Sequence, residues 1–525
     1  MKIEITKIIK QLIVSRVDIY LIAVVVAIFT FMKYFIFSLH DFNHYPIYII
    51  SITVVSFALS RYTYPKDEIA ASRLLRVIVV ISGFYLAATY PGYLVTGGGL
   101  FDKPYSLKWV AVGFAVLGLW RPGFALFPLL QILWMKQYDS VSTGMHISTT
   151  DYMPIIELGV FLWISFMVIP FFLKVQKSSK IQVSESAYSL YDVSTIIAVA
   201  IHFGNYFHSA VAKIMLDGGV FKWVLENKTH HIFLVSIQTG HSPIAGLEKL
   251  WWNIYVLFDQ FYVVSNTIIL FAQLVCVIAI VRIRWAILLT LFYDITHIVI
   301  FLFTGIFFWK WIFLNLGIMY SLSALFHKVQ PITVKIMAPF FVIFAIAIFF
   351  TARLGWYDTK MLRDVYVVAV TESGDEYRVP TNYFYNTSVT FSQSRVLGRV
   401  PGHLYGSDSL GSVYTYRLLN KYNNCQPSFI EKDSLPSKLY ELTWYLKNHH
   451  KYIKQNIDET GYINYDLFPH HVWSNPFLFQ EFNSLDKRDI TGYKIIVDSL
   501  CLEVNTDNRK ITQTIFLHDE YNVRL

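Results

Sequence analysis

The sequence predicts an all-α polytopic membrane bundle of about eleven transmembrane helices. An extracytoplasmic C-terminal domain, α+β or mainly β, is expected to follow it. Three observations predict this class. The 525 residues are 55% hydrophobic and only 15% charged, where soluble domains carry roughly 25% charge. Apolar runs of helical length recur up to residue 352 and then stop. Basic residues gather in alternate connections, as cytoplasmic loops require.

Each element has its own ground. Runs at 18–38 and 45–60 predict an N-terminal transmembrane hairpin, domain 1–70, followed by Arg61, Lys66, Arg73 and Arg76. A run at 76–95 ends in the turn-rich stretch 91–99. Runs at 108–119 and 123–135 are split by Trp120-Arg121-Pro122, which predicts two helices rather than one. Runs at 152–173 and 190–216 follow, with Lys174, Lys177 and Lys180 between them. Runs at 252–281, 285–304, 307–326 and 336–352 complete the set, with Arg282 and Arg284, then Lys328 and Lys335, in two of the connections. If the N-terminus is cytoplasmic, every one of these basic clusters falls on the cytoplasmic side. The C-terminal domain then falls on the opposite face. No convincing cleavage site follows the first run, so a retained helix is expected.

Composition changes near residue 355. From residue 358 onward there are 18 basic and 20 acidic residues, against 26 and 16 before it. The net charge of +8 therefore belongs to the membrane half, where helix orientation accounts for it without nucleic acid. Within domain 355–525, residues 364–370 read as a strand, Ser373-Gly374-Asp375 as a turn and 376–379 as the returning strand. Residues 435–454 read as a helix, and 492–504 and 513–518 as further strands. The three cysteines show no CxxC or zinc spacing, so no metal is expected. Cys425 and Cys501 both fall in this domain, and an oxidising compartment would permit a disulfide between them. Asn227 and Asn386 match the glycosylation pattern. The pairs His449/His450 and His470/His471 are expected to be solvated.

The candidate chemistry centres on residues 201–213. His202, Tyr206, Ser209 and Lys213 stand at i, i+4, i+7 and i+11 and share one helical face. An ionisable residue at membrane depth is a functional candidate; the other reading is that Lys213 snorkels to the headgroups. In a low dielectric the charged form of lysine loses solvation, and the neutral amine is a competent general base. His202, Tyr206 and His208 either relay protons or make interhelical hydrogen bonds. Asp294 and His297, at i and i+3, can meet on a second helix, with Gln273 of the preceding helix as a third member. That group is either pocket-lining or structural. Asp151 and Glu157 begin another span and can act as a dipole cap there.

The segment 206–214, Tyr-Phe-His-Ser-Ala-Val-Ala-Lys-Ile, followed by Gly218-Gly219, resembles the lysine motif of the horizontally transferred transmembrane (HTTM) domain family. That domain is shared with the vitamin K-dependent γ-glutamyl carboxylases. The run 273–315, with Arg282-Ile283-Arg284, His297 and Phe307-Phe308-Trp309, is similar too, as is Thr150-Asp151-Tyr152-Met153-Pro154 up to Glu157. The resemblance covers roughly residues 70–350 and marks 71–354 as an HTTM-like transmembrane domain. Ala210 stands where the family has glycine. The family's tryptophan after the lysine is absent, and Thr150, with His146 upstream, lies near its histidine position.

The resemblance implies an integral membrane enzyme. Lys213 would be the base acting on reduced vitamin K, menaquinol or a similar lipid-soluble reductant with oxygen, coupled to carboxylation of a peptide or protein. It assigns the base to Lys213; together with the polar positions read above, the candidate catalytic residues are Lys213, His202, Tyr206 and His297, and the candidate cofactor-binding residues are Asp294, Gln273 and His208. The expected partners are the lipid bilayer and a secreted peptide or protein substrate. The expected location is a bacterial inner membrane, or the plasma membrane or endoplasmic reticulum. A non-catalytic factor for export, maturation or immunity of a secreted peptide is the alternative, and a proton-coupled transporter is the third. No internal repeat of the kind transporters carry is seen.

Overall fold

A computed structural model of the chain describes residues 2–37, 44–64, 70–89, 104–143, 148–178, 188–466 and 470–525. The turn-rich stretch 91–99 and His146 lie outside the described residues. The first part of the chain is helical: α1 Lys2–Phe35, α2 Tyr45–Leu59, α3 Ala70–Ala88, α4 Lys108–Gly118, α5 Leu126–Thr143, α6 Met153–Ser178 and α7 Leu190–Ile214. It continues with α8 Lys222–Glu226, α9 His231–Gln238, α10 Glu248–Ala279, α11 Ile283–Thr304, α12 Trp309–Ser323 and α13 Ile332–Phe344. Each of the expected apolar runs contains a helix among the described residues.

Among the described residues, 6 helices are long and apolar enough to cross a membrane: α1, α3, α6, α7, α10 and α11. That is fewer than the sequence predicts, and the reason is local. Helices α2, α4, α12 and α13 are 15, 11, 15 and 13 residues long, short of the roughly 20 residues a spanning helix needs. Helix α5 has 18 residues, but its last turns carry Lys136 and Asp139. The break between α4 and α5 falls at Arg121-Pro122 as predicted, because proline cannot continue the α4 hydrogen-bond ladder.

Helix α7 is the centre of the bundle. It is 83% buried across its most apolar stretch, whereas α10 is 22% buried and α11 33%. It packs against α3, α6, α10 and α13. Its start is fixed by a capping box: the Ser189 hydroxyl accepts from Asp192 N–H, and the Asp192 carboxylate accepts from Ser189 N–H. Gly204 lets α13 close on α7, since a Cβ there would sit 2.8 Å from that of Ala345. Asp192 also receives Lys328 Nζ at 2.6 Å.

The C-terminal region is α+β. Strands β1 (Tyr357–Asp358) and β4 (Ser412–Val413) form a small antiparallel pair. Strands β2 (Met361–Thr371), β3 (Glu376–Arg378), β5 (Ile490–Asn505) and β6 (Lys510–Arg524) form an antiparallel sheet in the order β3-β2-β5-β6. The β2–β3 turn holds Gly374 at φ +88°, which glycine adopts without a Cβ clash. The helix Leu439–Asn456 turns Leu442, Tyr445, Leu446 and Ile453 into the same core as Val365, Val367 and Val497. Cys425 and Cys501 are joined in a disulfide.

One sequence expectation for this region is corrected, and the two asparagines of the glycosylation pattern are held by partners in the fold. His449, His450 and His470 are buried: His449 stacks on Tyr445, His450 bonds Tyr493 Oη, and His470 packs edge-on against Trp473. Asn227 is fully buried and bonds both the carboxylate and the backbone N–H of Asp358, and Asn386 donates to Tyr105 Oη at 2.6 Å. Neither side chain is free to carry a glycan.

Candidate functional site

Helices α7, α10 and α11 supply most of the lining of a cavity of about 570 Å³, within the range of small-molecule sites. Its walls are mainly apolar and aromatic, with Phe258, Phe261, Phe292, Tyr293, Phe308 and Trp311 among them. Asn205, Tyr206, Ser209 and Lys213 project into it from α7 at helical spacing. Lys213 does not snorkel. It is 7% exposed, and its Nζ donates to Leu354 O at 2.6 Å, Gln273 Oε1 at 3.2 Å and Ser209 O at 3.3 Å. It also lies 5.2 Å from the centre of the Trp223 ring.

Three of the side chains on this face of α7 hold one strap of the chain, residues 352–358. Asn205 Oδ1 accepts from Ala352 N, the Ser209 hydroxyl donates to Ala352 O and accepts from Leu354 N, and Lys213 holds Leu354 O. Gly355 makes the close approach feasible: a Cβ there would lie 2.6 Å from the Ala212 carbonyl carbon. The strap ends at Asp358, which also lines the cavity. Its carboxylate accepts from Asn227 Nδ2 at 2.9 Å and Trp356 Nε1 at 3.0 Å. Burial pushes the Asp358 carboxyl up to about 7, against the opposing pull of those two bonds and of the Lys213 charge.

A second polar group lies behind the aromatic wall, organised by Asn315 of α12. Asn315 Oδ1 contacts His202 Nε2 at 3.0 Å, and Asn315 Nδ2 donates to Tyr206 Oη at 3.0 Å and to Asp294 Oδ1 at 2.7 Å. His202 therefore presents Nε2–H to the amide oxygen. Tyr206 and Tyr293 stack with ring centres 3.7 Å apart. His297 lines the cavity, and its Nδ1 lies 3.9 Å from Asp294 Oδ1. His297 Nδ1 and Asp294 Oδ2 have no hydrogen-bond partner.

The structure thus gathers Lys213, Tyr206, His297 and Gln273 on the cavity wall, with Asp294 and His202 directly behind them. Gln273 serves Lys213 instead of the Asp294–His297 pair. His208 does not join the group: it lies outside the cavity lining and bonds Ile343 O of α13 at 2.9 Å. Asp151 and Glu157 are not dipole caps. Asp151 is ion-paired with Lys310 and His471, which hold its carboxyl well below the usual range despite its burial. Glu157 is paired with Lys33 at 2.9 Å.

Asn315 and Asp358 were missed by the sequence reasoning. Asn315 is a lone amide inside an apolar run, a signal of the same kind that singled out Lys213. Asp358 had no such signal, because only folding brings the residues after the last apolar run back onto α7. Among the described residues no group of acidic, histidine and cysteine side chains could hold a metal ion.

Fold and site together define a multi-pass membrane protein with a buried, largely apolar pocket. No known protein family, no curated protein and no solved structure matches the chain.

Proposed function

We propose that the protein is an integral membrane enzyme of the HTTM type, related in chemistry to vitamin K-dependent carboxylase, and that its cavity receives a lipid-soluble quinol. The observation that carries this reading is the apolar cavity with Lys213 in its wall, held by neutral acceptors alone. A volume of about 570 Å³ fits a bicyclic ring and the first part of an isoprenoid tail. The aromatic walls suit a flat ring. A pocket of this kind favours an enzyme over a peptide-binding export factor, which needs a groove rather than a hydrophobic chamber.

A quinol held there supplies, with oxygen, the reducing chemistry that ends in quinone epoxide and water and drives carboxylation of a peptide substrate. The chain's own part is proton handling and exclusion of water. A buried ammonium without a carboxylate in contact carries an unrecovered desolvation cost. Lys213 and Asp358 both line the cavity, and in this reading Lys213 acts as the neutral amine that takes a proton from a quinol hydroxyl. Gln273 and Leu354 O fix the direction of Nζ. His297 and Tyr206 offer polar atoms to the far side of the ring.

In this reading all eleven apolar helices lie in the membrane, the short ones at its edges, with the N-terminus cytoplasmic. The C-terminal region is extracytoplasmic, which agrees with its disulfide. It covers the cavity through the strap and presents a secreted substrate there.

The test is an oxygen-dependent turnover assay on purified protein with vitamin K hydroquinone and with menaquinol, reading epoxide by mass spectrometry. Epoxide is expected from wild type and not from Lys213→Ala. No epoxide from folded wild type with either quinol would overturn the proposal and favour the peptide-maturation reading.

A further inference from the structure

We infer that the cavity is loaded sideways from the bilayer, through a gap between α10 and α11, and that its ligand is an amphiphile whose hydrocarbon tail stays in that gap. The inference rests on the quinol reading only for the identity of the polar head.

Helices α10 and α11 run antiparallel, joined by the short turn at residues 280–282. Near that turn they are tied together, with Tyr293 Oη donating to Ala272 O at 2.8 Å. Away from it both helices line the cavity. The α10 residues lining this part are Leu257, Phe261, Val264 and Ile268, and Ile295 faces them from α11. All five are also on the outer surface of the bundle, at 51%, 52%, 54%, 49% and 53% exposure. A side chain that both lines the cavity and is half exposed outside marks an opening. Helix α10 bends at this level, with Phe261 at φ −117° and ψ 17°, a departure that breaks the regular ladder beside the gap.

The chemistry of the opening selects its occupant. Both helices are long apolar spans whose outer faces meet lipid, so what passes between them comes from the hydrocarbon region. The rim is wholly aliphatic or aromatic, whereas the inner wall holds Lys213, Gln273, Asn205 and His297. A polar head must therefore lie inside and an apolar tail at the rim. A water-soluble substrate would meet the wrong end first.

The test exploits cysteine chemistry. Cys276 is the one free cysteine and is buried, and the other two are disulfide-bonded, so a new surface cysteine takes a bulky maleimide selectively. Val264→Cys is labelled in detergent at mildly alkaline pH, where the thiolate forms, and then placed in lipid nanodiscs. Ile278→Cys, 72% exposed on α10 and outside the cavity lining, is the labelled control.

Saturable binding is measured for three probes: a long-tailed menaquinone, tail-less menadione, and a long-chain alcohol without a quinone ring. Labelling at 264 is expected to weaken the long-tailed menaquinone at least about tenfold, near 1.4 kcal/mol, while menadione changes by less than about twofold. Labelling at 278 should change neither. Equal affinities before and after labelling at 264, or equal losses for tailed and tail-less quinones, would overturn the inference. Label-sensitive binding of the alcohol with no binding of either quinone would keep the sideways route and discard the quinol reading. Binding of no probe would overturn both.

Discussion

Replacing Lys213 by methionine separates the chemistry of the group from its packing. The methionine side chain keeps an unbranched apolar stem but loses the charged head, and with it the Nζ contact 5.2 Å from the Trp223 ring centre. Two opposing terms then set the stability change. Gln273 Oε1 and Leu354 O lose their donor, and a buried group left without its partner costs about 1–3 kcal/mol. Ser209 O is affected less, because as a helical carbonyl it keeps its bond within the α7 ladder. Against this, the variant no longer buries an amine whose hydrogen-bond partners are all neutral; wild type meets that cost either as the desolvation of an ammonium or as the loss of its proton, several kcal/mol for the charged form.

The terms nearly cancel, so stability should stay within about 2 kcal/mol of wild type. Turnover should behave differently. A positioned general base contributes roughly 10²–10⁴ in rate, and all of it is lost. The assay pairs unfolding in detergent with quinol turnover on the same preparation. A stability loss above about 3 kcal/mol with turnover preserved would refute the reasoning and make Lys213 a structural strut.

Three further outcomes follow from the same geometry. Asn315→Leu removes the shared partner of His202, Tyr206 and Asp294; at about 1–3 kcal/mol for each orphaned group, a loss of at least about 3 kcal/mol is expected in denaturant unfolding, and a loss below about 1 kcal/mol would show the amide is dispensable. Asp358 binds its proton more tightly folded than unfolded, so its contribution to stability is full below about 4 and is lost as pH rises to about 7, at about 1.4 kcal/mol per unit. Asp358→Asn cannot ionise, and the difference between variant and wild type should drift in the variant's favour across that window; parallel stability–pH curves would count against it. Gly355→Ala forces a Cβ to within 2.6 Å of Ala212, an overpacking worth about 1–3 kcal/mol, and should lower turnover by moving Leu354 O off Lys213. Gly246→Ala, whose Cβ meets nothing within 4 Å, is the control and should leave turnover unchanged.

The membrane class was legible because it depends on length and polarity alone, both written in the chain. Helix α7 could be singled out for the same reason: His202, Tyr206, Ser209 and Lys213 keep helical spacing inside an apolar run. What the sequence hid was which neighbour each polar group meets. Gln273 reads as a partner for Asp294 when only chain order is known, yet the α7–α10 contact gives it to Lys213. Asn315 supplies the hub instead, because α12 crosses behind α7 and α11. The histidines of the C-terminal region misled for a related reason. Polar neighbours in sequence suggest solvent, but a helix with charged residues on one face buries the other, as Leu439–Asn456 does.

The two halves of the protein are not independent units, and the contacts that join them lie at the site. The strap 352–358 lies along α7 and then becomes β1, whose partner β4 belongs to the C-terminal region. A second set of bonds links the loop after α11 to residues 471–475: Phe307 N donates to His471 O, and Trp473 N to Gly305 O at 2.9 Å. Gly305 sits there at φ +70°, with no room for a Cβ beside His241 O. Asp151 ties this same loop to the bundle through His471 and Lys310. A substrate that shifted the C-terminal region would therefore pull on Leu354 O at one end of the cavity and on the segment carrying Phe308 at the other. Under the proposed function, the strap alone could couple substrate occupancy to Lys213, because it is one link between the two parts and supplies one of the three acceptors that hold Nζ.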